Sequence, residues 1–206
     1  MTTSEIPDII VGRLPRYLRT LELMHDQGIA TTSSKDLGDQ LGISAAQIRK
    51  DLSQFGGFGK QGTGYNIPYL IQQLRAILNV DRVWDMAVIG AGDLGHALAR
   101  YQGFLKRGFR VAMVFDNNPE KIGKKIGDII IQDSSEMIPA IRGAGIKIAM
   151  LTVPGKAAQD VTDDLVKAGI RAILSYAPIV LTVPDDVHVQ NIDPVTRLQR
   201  MTYYLD

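Results

Sequence analysis

A chain of 206 residues holds one large or two small domains, each able to bury its own core. With 45% apolar and 22% charged residues it has the composition of an ordinary soluble globular protein, and a net charge of +1 selects no class of partner. It contains no cysteine, which excludes disulfides, thiolate-ligated zinc and thiol catalysis and fits a reducing cytoplasm, the expected location.

The N-terminal stretch MTTSEIPDIIVGRLPRYLR lacks a basic start followed by an apolar core, so no secretory signal is expected. Helices separated by polar turns are expected over residues 1–80. RYLRTLELMHDQG places Tyr17, Leu18, Leu21, Leu23 and Met24 at largely helical spacing and stops at Gly28. SSKDLGDQLG has a serine cap, Leu37 and Leu41 one turn apart, and a glycine stop. SAAQIRKDLSQF opens at Ser44 and sets Ile48 and Leu52 one turn apart. GGFGKQGTGYNI, dense in glycine with aromatic and β-branched residues between, predicts a short hairpin, and YLIQQLRAIL a closing helix.

A seam falls near LNVDRVWDMAVIG, after which the rhythm changes. Apolar runs MAVIG, RVAMVFD, IKIAMLTV and RAILSY alternate with amphipathic HALARYQGFLKRG, SSEMIPAIRGAG and GKAAQDVTDDLVKAG. Short buried runs alternating with helices predict βαβ units and a parallel sheet covered on both faces. No apolar run reaches the roughly 18–20 residues that span a bilayer, and neither a membrane nor a metal is expected as a partner. The tail DPVTRLQRMTYYLD predicts a helix that begins at Pro194 behind an Asp193 cap. Its stripe of Val195, Leu198, Met201 and Leu205 must pack on its own sheet or on a partner subunit.

The two segments around Gly42-Ile43-Ser44 follow the helix, tight turn, helix plan of a DNA reader. Leu37, Leu41, Ile43, Ile48 and Leu52 can face inward, and Gly38 lets the helices approach. At 100° per residue, Ala45, Ile48 and Leu52 share one side of the third segment. The other side then carries Ala46, Gln47, Lys50, Ser53 and Gln54, with Arg49 on its flank and Ser44 at its start. Amides and lysine suit base edges and phosphates in a major groove. The glycine-rich hairpin, with Lys60 near its tip, would be the wing of a winged helix. A small helical interaction domain with a solvated third helix fits the same residues. Charge does not separate the two, because residues 1–80 carry eight basic against seven acidic side chains.

VIGAGDLGHALARY holds Gly90, Gly92 and Gly95 in the G-x-G-x-x-G spacing, after a strand and at the start of a helix. Gly90, Ala91, Gly92, Asp93, Leu94, Gly95 and His96 would then form a turn and helix N-terminus that receive a pyrophosphate. Asp116 ends the next strand 26 positions after Gly90, beyond the usual spacing of ~20 but at the proper strand end. A carboxylate there accepts from the adenosine ribose and repels a 2′-phosphate, which favours NAD(H). Lys121, Lys124 and Lys125 keep a phosphorylated cofactor open, or form a solvated loop. For a hydride-transfer enzyme the chain offers only His25, His96, His188 and Tyr101, none with a substrate domain beside it. A binding module is therefore expected, with Thr152, Val153 and Pro154 of LTVP as the apolar surroundings of the nicotinamide.

In sum of its motifs the chain resembles the Rex family of redox-sensing bacterial transcriptional repressors. The likeness runs through RLPRYLRTLELM, TSSKDLGDQLGISAAQIRKDLSQFGGFGKQGTGY, VIGAGDLGHALARY, FDNNPEKIG, LTVP and NIDPVTRLQRMTYYL. It implies an α/β chain with a winged-helix domain (1–80), a Rossmann domain (81–192) and a C-terminal helix (193–206) swapped onto the partner of a homodimer. It further implies repression in which NADH releases double-stranded operator DNA while NAD+ competes. Ligand contacts carry over to the Gly90–Gly95 turn and Asp116, and base or phosphate contacts to Gln47, Arg49, Lys50 and the wing around Lys60. Arg19, Tyr101 and Asp193 match a switch triad in which Asp193 changes partners. Pro194 departs from the pattern: it stands where some members place an aromatic near the nicotinamide.

Overall fold

A computed structural model of the chain describes residues 6–60 and 64–205; the tip of the expected hairpin, 61–63, lies outside the described residues. Two compact units are present, Met1–Arg82 and Val83–Asp206.

The first unit runs α1 (Asp8–Val11), α2 (Leu14–Asp26), β1 (Thr31–Thr32), α3 (Ser34–Leu41), α4 (Ala45–Ser53), β2 (Gly59–Lys60), β3 (Gly64–Asn66) and α5 (Ile67–Ile77). The short strands form an antiparallel sheet in the order β1-β3-β2, the wing beside the helices. Local signals set the helix ends. The Ser33 hydroxyl accepts the Asp36 N–H while the Asp36 carboxylate accepts the Ser33 N–H, a reciprocal cap that opens α3. Gly42, in the left-handed region, ends it, and the Ser44 hydroxyl accepts the Gln47 N–H to open α4 two residues later.

The core of this unit gathers Leu14, Tyr17, Leu18, Leu21 and Met24 from α2 with Leu37, Ile48, Leu52, Ile67, Leu70 and Leu74. Each fully buried leucine contributes roughly 1.5–3 kcal/mol. A methyl group on Gly38 would run into the Ile43 carbonyl, so the glycine does permit the close packing of α3 on the turn into α4. Leu23, expected on the apolar face, is instead exposed: it lies off the line of Leu14, Leu18 and Leu21.

The second unit runs β4 (Trp84–Ile89), α6 (Asp93–Arg100), β5 (Phe109–Asp116), β6 (Lys125–Ile126), β7 (Ile129–Asp133), α7 (Met137–Ala144), β8 (Ile148–Leu151), α8 (Gly155–Ala168), β9 (Ala172–Ser175), β10 (His188–Asn191) and α9 (Pro194–Thr202). Its sheet has the order β10-β9-β8-β4-β5-β7-β6, parallel except for β6. Leaving β6 aside, this is the doubly wound order of a dinucleotide fold, with its direction of winding reversed between β4 and β8. Alternation along β4 covers both faces. Ala87 and Ile89 pack with Phe115, Ile141 and Leu165, whereas Met86 and Val88 pack with Val114, Ile126 and Met150.

Three features differ from the sequence expectation. HALARYQGFLKRG is not one helix: α6 ends at Arg100, Tyr101 is extended, and 102–107 continue as a 3-10 turn. The Tyr101 ring folds over Gly103, where any side chain would collide with it. The connection from β5 to β7, to which the apolar rhythm assigns no element, carries the short β6–β7 hairpin, with Gly123 and Gly127 at positive φ. DDVHVQNI, the stretch around His188 and not among the apolar runs above, supplies the edge strand β10.

One buried charge ties the first unit together. Asp51 on α4 is fully buried and takes two hydrogen bonds from the Arg13 guanidinium (2.6 and 2.8 Å), one from Tyr17 Oη (2.6 Å) and one from Gln47 Nε2 (2.7 Å). Burial alone would raise its pKa; the bonds from Arg13, Tyr17 and Gln47 outweigh this and hold the carboxyl below its ordinary range. Burial and the neighbouring carboxylate push the Tyr17 phenol up to about 12. A carboxyl lowered in the folded state stabilises fully above its ordinary value of 3.8, and the contribution is lost as pH falls through the lowered value. Asp51→Ala leaves Arg13 and Tyr17 without their acceptor, so denaturant melts should show a loss of ~3–5 kcal/mol at neutral pH and a flatter acid limb than the wild type; an unchanged midpoint would contradict this.

Candidate functional site

At the carboxyl edge of the parallel strands, beside the winding reversal, β4 turns into α6 through Gly90-Ala91-Gly92. Gly90 has φ +97°, a region open to glycine at little cost. A side chain on Gly95 would strike the Gly90 carbonyl, so the first turn of α6 lies directly on the loop. Nothing stands over the Gly92 Cα, which is exposed. No side chain caps the N-terminus of α6, nor those of α1, α2, α7 and α8, whereas α3, α4, α5 and α9 each have a capping side chain. An open backbone loop beneath uncapped amides fits a diphosphate: the amides supply donors and the helix dipole positive potential.

The loop is held from both sides. Thr152, just past β8, directs its hydroxyl to the carbonyls of Ile89 (2.9 Å) and Gly90 (2.8 Å) and its N–H to Ile89 (2.9 Å). Asp116, at the end of β5, is 7% exposed. It accepts from the Ala91 N–H (2.7 Å), the Asn118 N–H (2.8 Å) and Lys121 Nζ (3.2 Å). Its burial is outweighed by those bonds, and the carboxyl is held below its usual range. A carboxylate has about four acceptor positions; Oδ2 takes the Ala91 and Lys121 bonds and Oδ1 that of Asn118, so roughly one position stays open on Oδ1. Of the other cofactor-site residues named from sequence, Ala91 is buried, His96 and Val153 half-buried, and Asp93, Leu94 and Pro154 exposed at the mouth. The pairing of Lys121 with Asp116 was legible only as a lysine nearby.

On the first unit, Ser44, Ala46, Arg49, Lys50, Ser53 and Gln54 are exposed and Gln47 half-buried, so the face deduced from helical spacing is the outward one. Several of its groups have partners inside the protein. Gln47 bonds Asp51, Arg49 Nη1 donates to Ser34 Oγ (2.9 Å), and the Ser53 hydroxyl donates to the Lys50 carbonyl (2.8 Å). The Arg49 contact closes one wall of an open cleft of about 720 Å³ between α3, α4 and the wing, lined by Ser33, Phe58 and Tyr65 among others. The backbone of Lys60 pairs with Gly64 in the wing, and its side chain falls outside the described atoms. Asp51 was not foreseen. An acid among Ile48 and Leu52, on the inward side of an otherwise amphipathic helix, is the signal that marks it.

The three residues of the expected switch divide between the units, Arg19 in the first and Tyr101 and Asp193 in the second. Arg19 is exposed on α2 of the first unit; Tyr101 is 51% exposed and meets Phe104 edge-on at 5.0 Å. The Asp193 carboxylate caps α9 by accepting the Val195 N–H at 2.8 Å. Helix α9 buries none of its residues; Val195, Leu198 and Met201 are each more than half exposed, followed by Tyr203, Tyr204 and Leu205. Its stripe therefore does not pack on its own sheet. Beside the start of α9 a cleft of about 760 Å³ runs between Ala177–Val180 and Asn191–Leu198. Among the described residues no helix is long and apolar enough to cross a membrane, and no acidic, histidine or cysteine cluster could hold a metal.

Comparison with known proteins agrees with this geometry. Residues 5–53 match a family model described as "Putative DNA-binding protein N-terminus", and residues 81–179 one described as "CoA binding domain". A redox-sensing transcriptional repressor Rex of Roseiflexus sp. (strain RS-1) is 53% identical over 202 residues, 98% of this chain and 92% of that protein. Its namesake in Chloroflexus aurantiacus (strain ATCC 29366 / DSM 635 / J-10-fl) is 51% identical over 206 residues, 100% of this chain and 97% of that protein. Among solved structures, the Rex-family repressor RSP in complex with β-NAD+ and operator DNA superposes with a TM-score of 0.93 at 40% identity, covering 98% of this chain and 93% of that one. RSP in complex with β-NADH superposes at 0.90 with 39% identity, covering 98% and 95%. Half-identity across the full length, on a fold that joins a DNA-reading unit to a dinucleotide unit, makes this chain a member of the Rex family of redox-sensing transcriptional repressors.

Proposed function

We propose that this chain represses transcription by binding operator DNA through the first unit and releases it when NADH occupies the second, with NAD+ competing for the same site. The observation that carries the reading is the glycine turn under the uncapped start of α6. It offers a dinucleotide a ready cradle, in a chain whose other unit presents a helix-turn-helix. The backbone around Gly90, Ala91, Gly92, Asp93, Leu94, Gly95 and His96 receives the diphosphate. Asp116 holds the loop and accepts from the adenosine ribose, which disfavours a 2′-phosphate. Thr152, Val153 and Pro154 border the nicotinamide, where apolar surroundings favour the neutral reduced ring over the cationic oxidised one.

Ser44, Ala46, Gln47, Arg49, Lys50 and Ser53 face the major groove and Lys60 a neighbouring phosphate or the minor groove. Paired half-sites call for a homodimer, and the unpartnered stripe of α9 supplies the contact by crossing onto a second copy. Arg19, Tyr101 and Asp193 form the latch between two dimer arrangements, an arginine–carboxylate bond being strong enough to hold one of them. The proposed domain limits are 1–80, 81–192 and 193–206, and the proposed location is the cytoplasm. To move the dimer from 1:99 to 99:1 the ligand must favour one arrangement by about 5.5 kcal/mol, a demand two bound cofactors share. No reaction is performed on the nicotinamide.

Operator duplexes selected by the protein from a random pool, titrated at fixed salt with NADH, NAD+ and NADPH, test the reading. NADH at low concentration should dissociate the complex and NAD+ should oppose it. NADPH of equal potency would remove the role given to Asp116, and indifference to all three would remove the reading. Lys50→Ala should weaken operator binding and lower the steepness of its salt dependence by about one phosphate contact, with NADH affinity unchanged; a parallel loss of both would make Lys50 structural. Leu198→Asp should convert the dimer to monomer in sedimentation equilibrium, and a dimer that survives it would exclude α9 from the interface.

A further inference from the structure

The glutamine on the reading face of α4 is not free to turn. Gln47 lies one helical turn before Asp51, and its Nε2 donates to Asp51 Oδ1 at 2.7 Å. An ionised carboxylate only accepts, so the end of the amide that meets it must be nitrogen, and the opposite end is Oε1. Asp51 is in turn held on several sides. It is fully buried, and its oxygens are held by Arg13 just ahead of α2 and by Tyr17 within α2, at 2.6–2.8 Å. The tether thus reaches from the core of the unit to the half-buried Gln47. Gln54, exposed at the end of the same helix, has no such anchor among the described residues.

We infer that Asp51 is a positioning residue for base recognition: it fixes the orientation of the Gln47 amide and so the kind of base edge Gln47 can serve. The inference rests on the proposed DNA reading. An amide that flips freely presents either a donor or an acceptor to the groove and tolerates most edges. Held by Asp51, Gln47 keeps its nitrogen on the inner side and leads with Oε1. It therefore suits an edge that offers a donor, the N6–H of adenine or the N4–H of cytosine, over the acceptors of guanine. Arg13 and Tyr17, which touch no base in this scheme, act through the same carboxylate.

The test is site selection from a randomised duplex pool by the wild type, Asp51→Asn, Gln47→Ala and the double variant. An asparagine side chain can donate or accept, so it releases Gln47 to either orientation. The wild type should prefer adenine or cytosine at one position of each half-site. Asp51→Asn should reduce that preference by roughly fivefold or more, and in the Gln47→Ala background it should change nothing further. An unchanged preference in Asp51→Asn, or an added loss in the double variant, would overturn the assignment. Absence of any sequence preference in the wild type would strike at the DNA reading itself, so the two failures are distinguishable. Should Asp51→Asn not fold, side-chain nitrogen relaxation of the wild type decides. The Gln47 amide should be as rigid as the backbone while that of Gln54 is averaged, and a Gln47 amide as mobile as that of Gln54 would overturn the inference.

Discussion

The second unit depends on how closely α6 approaches the end of β4. Only a glycine at position 95 lets the helix rest on the Gly90 carbonyl, and only a glycine at 90 takes the loop through positive φ without strain. This contact brings the uncapped amides of α6 to the carboxyl edge of the sheet, at the point where the winding reverses. The polar groups around it serve the same loop. The hydroxyl of Thr152 holds its carbonyls and the carboxylate of Asp116 holds the amide of Ala91. Before any ligand arrives the protein has already supplied the order that a diphosphate would otherwise have to impose, which is what preorganisation means energetically.

The first unit solves a different problem by a related device. A helix that reads DNA must turn its polar face outward and still be held firmly, and α4 has only Ile48 and Leu52 fully buried among its apolar residues. Asp51 adds a third point of attachment, and a directional one, since hydrogen bonds fix rotation about the helix axis better than apolar contacts do. A buried pair of this kind is weak evidence for net stability, because desolvation offsets much of the attraction. Its stronger consequence is orientation.

Much of this was legible in the sequence. The serine caps at 33 and 44, the stop at Gly42 and the tight packing at Gly38 all follow from residues within a few positions of each other. The parallel sheet and the fingerprint turn follow from apolar runs and glycine spacing, which are likewise local. Most of what escaped depends on contacts across long separations. Arg13 and Asp51 lie 38 positions apart, and no periodicity joins them. Nor does spacing say that Asp116 would direct its carboxylate to the Ala91 amide and to Lys121. The break in α6 escaped because alanine, leucine and arginine continue a helical pattern through Tyr101, whose ring packs over Gly103 instead. The exposed stripe of α9 was visible as a pattern, but only the fold shows that its own sheet leaves it uncovered.

If occupancy of the dinucleotide unit and grip on DNA are two readouts of one equilibrium, each ligand must alter the affinity of the other by the same factor. The direct test is the dissociation constant of NADH measured by cofactor fluorescence for the free protein and for the protein saturated with operator duplex. With two cofactor sites per dimer, the product of the factors by which the operator weakens NADH at the two sites should equal the factor by which saturating NADH weakens operator binding. Equal NADH affinity in the two states would contradict the coupling.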